Sequence, residues 1–331
     1  MFPEQIFFEP CALEYELGKK MKDKYGQVPW IPIENHNNIE ELRKNSNKEF
    51  AHMKKFLVIG IRKTHKYTPN QKVSDFLVPY TSSGCSAMCL YCYLVCNYNK
   101  CSYLRLFVNR EQMLDKIIKT AIKSEKELTF EIGSNSDLIL ENTITNNLEW
   151  TIENFSKKER GFLTFPTKFH MVDPILHLNH KGRIITRMSV NPQPIITKVE
   201  FGTSSLDDRI TAINKLGEAG YSVGLLIAPI VLMAGWKELY SNLIDQLNEK
   251  LLPNIKKKLF IEIIFMTYSF IHCAINEEAF PKAVKLYDQD MMTGRGRGKY
   301  CYREGIRAEA EDFLREELSK KLPGIPILYI V

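Results

Sequence analysis

The sequence predicts a parallel α/β architecture built on six strands, and three observations carry that prediction. From residue 105 onward, strand-like and helix-like stretches alternate, the pattern of crossover connections in a parallel sheet. The composition is that of a globular protein: 331 residues, 44% hydrophobic and 25% charged, with ample chain to bury a core. A cysteine cluster follows the first strand, where a barrel would present its working face.

The elements run in order. Residues 76–80 form the first strand, ahead of the cysteines. Residues 113–123 read as a helix and 128–132 as a short apolar strand. Residues 143–155 read as a helix, and 162–165 as a strand. A short helix near 174–178 leads to a strand over 183–190. Residues 205–216 form a helix that opens with Ser205 and Asp208 three residues on, a capping box, and ends at Gly217. A buried strand over 221–228, a helix over 236–252 and a strand over 259–265 complete six strands. Six is short of the eight of a closed barrel, so an incomplete barrel is expected as readily as a closed one. The first 74 residues read as a separate cap. At the other end, residues 294–303 (GRGRGKYCYR) hold four cations and no acid. A helix over 307–322 and a strand over 325–331 end the chain.

Several classes are excluded. Disorder, collagen-like repeats and coiled-coil rods do not fit the composition. The N-terminus breaks its apolar residues with Pro3, Glu4, Glu9 and Pro10, so no signal peptide is expected. Two long uncharged stretches, 76–99 and 219–236, are interrupted by Pro79, Gly84, Gly220, Gly224, Pro229 and Gly235, so no membrane span is expected. Eight cysteines are too few for a disulfide scaffold, and a cytoplasmic, reducing location is the expectation. The net charge of +6 permits a nucleic-acid partner without arguing for one.

Cys85, Cys89 and Cys92 are spaced C-x3-C-x2-C in the context SSGCSAMCLYCYL. Three thiolates on one tight loop can each hold one iron of a four-iron, four-sulfur cube, leaving the fourth iron open. An open position on a metal centre is where a substrate binds. The competing readings are a zinc site completed by His65 or another histidine, and a closed ferredoxin-type carrier. Cys96 and Cys101 lie nearby but do not continue the spacing.

The spacing, with an aromatic residue (Tyr91) before the last cysteine, resembles the signature of radical S-adenosylmethionine enzymes. That superfamily uses a partial (β/α)6 TIM-like barrel with the cluster loop after the first strand. The open iron there chelates the methionine moiety, and Tyr91 matches the aromatic packed by the adenine. Further segments resemble one family, spore photoproduct lyase, over nearly the whole chain. FEPCALEYELGKKM and VIGIRKTHKY find counterparts near the N-terminus, and GCSAMCLYCYL matches the cluster. FEIGSNSD, the KFH at 168–170, RMSVN, FGTSSLDDRI, AGYSVGLLIAPI and GKYCY follow in order and at compatible spacing.

The resemblance implies an N-terminal α/β cap over 1–74, a barrel over 75–270 and a C-terminal hairpin and helix extension over 271–331. It implies that Ser136, Lys168, Ser189 and Ala228 contact S-adenosylmethionine. It implies a lyase of DNA repair in which a 5′-deoxyadenosyl radical reverses the methyl-bridged thymine dimer to two thymines. The partners it implies are lesion-bearing DNA and a reductant such as flavodoxin or ferredoxin, in a spore or germinating-cell interior. Arg295, Arg297 and Lys299 would engage phosphates, with Tyr300 or Tyr302 near the bases.

Two departures stand out. The family's hydrogen-donating cysteine, in Cys-x-Ser-Asp, is replaced by Ser134 in Ser134-Asn135-Ser136-Asp137. A serine O–H bond is much stronger than a thiol S–H bond, so Tyr93, which flanks the last cysteine with Tyr91, or Cys96 or Cys101, would have to serve. A His-Arg pair in the last barrel strand is replaced by Met266-Thr267. The alternatives are a radical enzyme acting on another nucleic-acid or small-molecule substrate, and a non-catalytic zinc or nucleic-acid-binding protein.

Overall fold

The computed structural model describes residues 2–97 and 103–331. Its main sheet has eight strands among the described residues, in the order Ile327–Ile330, Phe260–Phe265, Ser222–Ile230, Ile184–Val190, Phe162–Thr167, Thr129–Glu131, Phe76–Leu77 and Thr68–Pro69. All neighbours are parallel except the last pair. The six expected strands therefore occupy six consecutive places, and the sheet curls into a half-barrel. Its central strands are rich in β-branched and other apolar residues because both faces are covered.

Helices Arg110–Lys123, Leu206–Glu218 and Trp236–Lys250 cover the outer face. Ile210, Ile213 and Leu216 of one, and Leu243, Ile244 and Leu247 of another, are buried at helical spacing. Each such side chain contributes about 1.5–3 kcal/mol by leaving water. Ser205 caps its helix as expected, accepting from the Asp208 N–H at 3.2 Å.

The barrel's inner face carries a buried ion-pair belt. Arg187 reaches Glu131 at 2.7 Å and Glu262 at 3.0 Å, and Tyr329 donates its hydroxyl to Glu262. The last strand thus closes the sheet's edge and feeds its interior.

Several sequence expectations need correction. The helix expected over 143–155 is two helices, Leu138–Thr145 and Asn147–Ser156, divided at Asn146, whose φ is 56°. The Asn142 side chain builds the break by accepting from Leu148 N and Glu149 N. The short helix expected near 174–178 is a 3-10 turn, Asp173–Ile175, and a helix over Gln193–Val199 was not foreseen. The N-terminal unit is not confined to residues 1–74. Its five-stranded sheet takes Trp30–Pro32, Gln5–Phe8 and Phe56–Gly60 from the start of the chain, then Leu104–Phe107 and Ser82–Ser83 from either side of the cysteines. Residues 271–331 are likewise not a separate appendage, since Ile327–Ile330 joins the main sheet.

Within the N-terminal unit, Glu9 is buried and holds three donors or partners: Ile61 N at 2.9 Å, His36 N at 3.1 Å and His36 Nδ1 at 2.8 Å. Gly18 is required by close approach, because a Cβ there would lie 1.9 Å from the Ala12 carbonyl oxygen. Both residues belong to the FEPCALEYELG segment.

Candidate active site

The candidate site lies at the C-terminal ends of the parallel strands. Ser136, Lys168, Ser189 and Ala228 sit at or just past the ends of four adjacent strands, in sheet order. Three of them converge. Lys168 Nζ donates to Ser189 Oγ and, at 2.9 Å, to the Ala228 carbonyl, and Ser189 Oγ donates to the same carbonyl at 2.9 Å. Ser136 stands apart, its hydroxyl paired with Ser82 Oγ, which in turn donates to Glu141 at 2.6 Å.

The cysteine loop is fastened beside these strand ends. Gly84, at φ 80°, turns the chain into it, and Gly84 N donates to Asn135 O at 2.8 Å. Met88–Cys89 pairs antiparallel with Glu200–Phe201, and Leu90 N donates to Val199 O at 2.9 Å. Burial pushes the Cys85 thiol up to about 12 and Cys89 well above its ordinary value. Cys92 raises both further, and Cys85 raises Cys89. Three thiols on one loop are a donor set whose chemistry suits iron and sulfide, and they would have to lose their protons as metal binds.

Beside the loop is a charge network that the sequence did not reveal. Glu200 is fully buried and accepts from Arg209 at 2.7 Å and Asn191 at 3.0 Å, with Lys168 Nζ 3.4 Å away and the Tyr91 hydroxyl donating to it. Burial alone would raise this carboxyl, but Lys168 and Arg209 overcome it and hold it at about 2. Arg209 also donates to Ser204 O at 2.9 Å and Ser189 O at 3.0 Å. Glu200 thus orients both Tyr91 and Lys168, two of the expected cofactor contacts. Both Lys168 and Arg209 lie within segments already singled out, but a lone charge in sequence looks the same whether solvated or buried.

Tyr93 is 51% exposed, and its hydroxyl donates to the backbone carbonyl of Ser134. Tyr93 and Ser134 are therefore neighbours. Cys101 and the side chain of Cys96 lie outside the described residues. The expected basic hairpin forms from Met292–Gly296 and Lys299–Tyr302, with Arg295, Arg297 and Lys299 exposed. Tyr300 is half-buried against Tyr287. Tyr302 corrects the expectation: it is 5% exposed, and its hydroxyl accepts from Leu232 N at 2.9 Å inside the core. Burial raises that hydroxyl to about 12. No helix among the described residues is long and apolar enough to cross a membrane.

A family model for spore photoproduct lyase matches residues 1–331. The spore photoproduct lyase of Bacillus subtilis (strain 168) is 34% identical over 99% of this chain and 98% of its own length. That of a Geobacillus species is 30% identical over the same shares, 99% and 98%. A solved spore photoproduct lyase complexed with dinucleoside spore photoproduct superposes with a TM-score of 0.92 at 29% identity, covering 99% of both chains. A variant of that enzyme with bound AdoMet and the same dinucleoside has a TM-score of 0.93 at 29% identity, covering 100% of this chain and 99% of that one. With its cysteine loop and strand-end residues arranged as described, the chain belongs to the spore photoproduct lyase family.

Proposed function

We propose that this chain reverses the spore photoproduct in DNA as a radical S-adenosylmethionine lyase, with Cys85, Cys89 and Cys92 holding a four-iron, four-sulfur cluster. The observation that carries the reading is the junction at Lys168, where three strand ends and Glu200 meet beside the cysteine loop. Held by Cys85, Cys89 and Cys92 on one side and by Ser136, Lys168, Ser189 and Ala228 on the other, the cluster and S-adenosylmethionine would supply 5′-deoxyadenosyl radical chemistry, the hydrogen-atom abstraction that opening the methyl bridge requires.

The chain's own residues do the positioning. Lys168 offers a cation for the methionine carboxylate, 3.4 Å from Glu200. Ser189 and Ser136 offer hydroxyls, and the Ala228 carbonyl an acceptor. Tyr91, steered by Glu200, offers an aromatic face.

After the bridge breaks, the thymine radical needs one hydrogen atom. The Tyr93 hydroxyl, bonded to the Ser134 carbonyl, supports Tyr93 as the donor in place of the family's cysteine. Arg295, Arg297 and Lys299 on the exposed hairpin support a phosphate-contacting role, with Tyr300 beside them. A reductant of the flavodoxin or ferredoxin type belongs to the same proposal, since the cluster must be reduced before it acts.

The test is anaerobic turnover of dinucleoside spore photoproduct with S-adenosylmethionine and a reductant. Restored thymine is expected. Cleavage of S-adenosylmethionine with no thymine restored overturns the reading. Ser134→Cys is expected to raise the fraction of turnovers ending in thymine rather than in trapped adducts, as read by chromatography of the products.

A further inference from the structure

The cysteine loop is held by its carbonyl oxygens from outside the barrel. Lys54, buried at the end of a short N-terminal helix, Phe50–Met53, donates from Nζ to Cys85 O at 2.7 Å. Asn276, on the helix Phe270–Ala279 that follows the barrel, donates from Nδ2 to Leu90 O at 2.8 Å. It donates again to the Tyr268 hydroxyl at 2.9 Å, which fixes its amide. His272, one turn earlier on the same helix, is 4% exposed and hydrogen-bonds to the Cys92 backbone. Its Nδ1 accepts from Ser269 N at 3.1 Å, which leaves the proton on Nε2. The first cysteine, the middle of the loop and the last cysteine are thus each gripped by a donor from another part of the chain.

The three grips differ in charge. Asn276 and the Nε2–H tautomer of His272 are neutral donors, whereas Lys54 brings a cation into a buried place, 2.7 Å from the Cys85 carbonyl oxygen. Positive charge and hydrogen bonding close to an iron–sulfur centre favour its reduced state, and outer groups of this kind orient the ligands.

We propose that Lys54, Asn276 and His272 are positioning residues that fix the cysteine loop through its carbonyls, and that Lys54 also raises the reduction potential of the centre the three thiols hold. The inference rests on the cluster assignment above but not on the substrate. The bonds from Lys54, Asn276 and His272 described above go to the backbone of the loop, so each acts through the loop.

The experiment uses the full chain, reconstituted anaerobically with iron and sulfide. Iron and sulfide content, the midpoint potential followed by electron paramagnetic resonance, and the rate of iron loss to a chelator are measured for wild type, Lys54→Met, Lys54→Arg and Asn276→Leu. Lys54→Met is expected to hold iron but to shift the oxidised-to-reduced ratio at a fixed potential by at least tenfold, a fall of about 59 mV for one electron. Lys54→Arg is expected to restore most of that shift. Asn276→Leu is expected to lose iron to the chelator at least tenfold faster. A Lys54→Met potential within twofold of wild type in that ratio overturns the charge role. An unchanged rate of iron loss in Asn276→Leu overturns the clamp, and decides it alone if both Lys54 variants fail to hold iron. Wild-type protein that binds the cluster but restores no thymine overturns the assigned reaction and leaves this proposal standing.

Discussion

Lys168 is the most heavily committed side chain of the site, shared between Ser189, the Ala228 carbonyl and, at 3.4 Å, Glu200. It is half-buried, so its charge is poorly screened and a carboxylate arriving beside it gains a charge-assisted bond. Lys168→Met keeps the aliphatic stem and removes that bond. The expected loss in S-adenosylmethionine affinity is about 1.5–3 kcal/mol, roughly 10- to 150-fold in Kd. Calorimetric titration of the cluster-loaded protein measures it, with circular dichroism confirming the fold. Arg209 remains at 2.7 Å to compensate Glu200, so the variant is expected to fold. The contrast with Ser134 is chemical. Ser134 presents a hydroxyl, whose O–H bond is much stronger than a thiol S–H, and its carbonyl accepts from the Tyr93 hydroxyl.

At the scale of elements, the hairpin turn Gly296-Arg297-Gly298 runs through three left-handed residues, Arg297 at φ 51° among them. That turn projects cations from a short three-stranded sheet whose other face, through Tyr302, is anchored in the core. Replacing Arg295, Arg297 and Lys299 by alanine is expected to weaken DNA binding and to flatten its dependence on salt by roughly one unit of log–log slope per residue removed. Binding titrations at several salt concentrations check this. In the N-terminal unit, burial would raise the Glu9 carboxyl, but the His36 side chain and the N–H groups of Ile61 and His36 hold it below its ordinary 4.5. A lowered folded-state value means that stability from ionised Glu9 is fully present above 4.5 and is lost as pH falls through the folded value. Glu9→Gln is therefore expected to be less stable at neutral pH, by a margin that shrinks in acid, as urea midpoints against pH would read. Much of this scale was legible in the sequence: strand positions, the Ser205 cap and the hairpin follow from local pattern. The break at Asn146 was not, because apolar spacing continues across it and only the Asn142 side chain makes the two helices separate. The Gln193–Val199 helix was hidden by Pro194 and β-branched residues, which lower helix propensity. Lys54, Asn276 and His272 gave no signal either, since their partners lie far along the chain.

For the molecule as a whole, the two ends of the chain meet the barrel unequally. The C-terminal strand Ile327–Ile330 pairs with Phe260–Phe265 and sends Tyr329 to Glu262, within the belt that Arg187 holds together. Removing residues 323–331 exposes that edge and leaves Glu262 with fewer donors. The melting temperature is expected to fall by several degrees, and an unchanged value would show that the strand contributes nothing. The N-terminal sheet, by contrast, is completed by Ser82–Ser83 and Leu104–Phe107, which flank the cysteines. During synthesis, its first three strands leave the ribosome with their sheet unfinished. The closing edge arrives only when residue 107 emerges, after Cys85, Cys89 and Cys92 and before the barrel strands from Thr129–Glu131 onward. The three thiols are thus open to solvent before the barrel that packs against them exists.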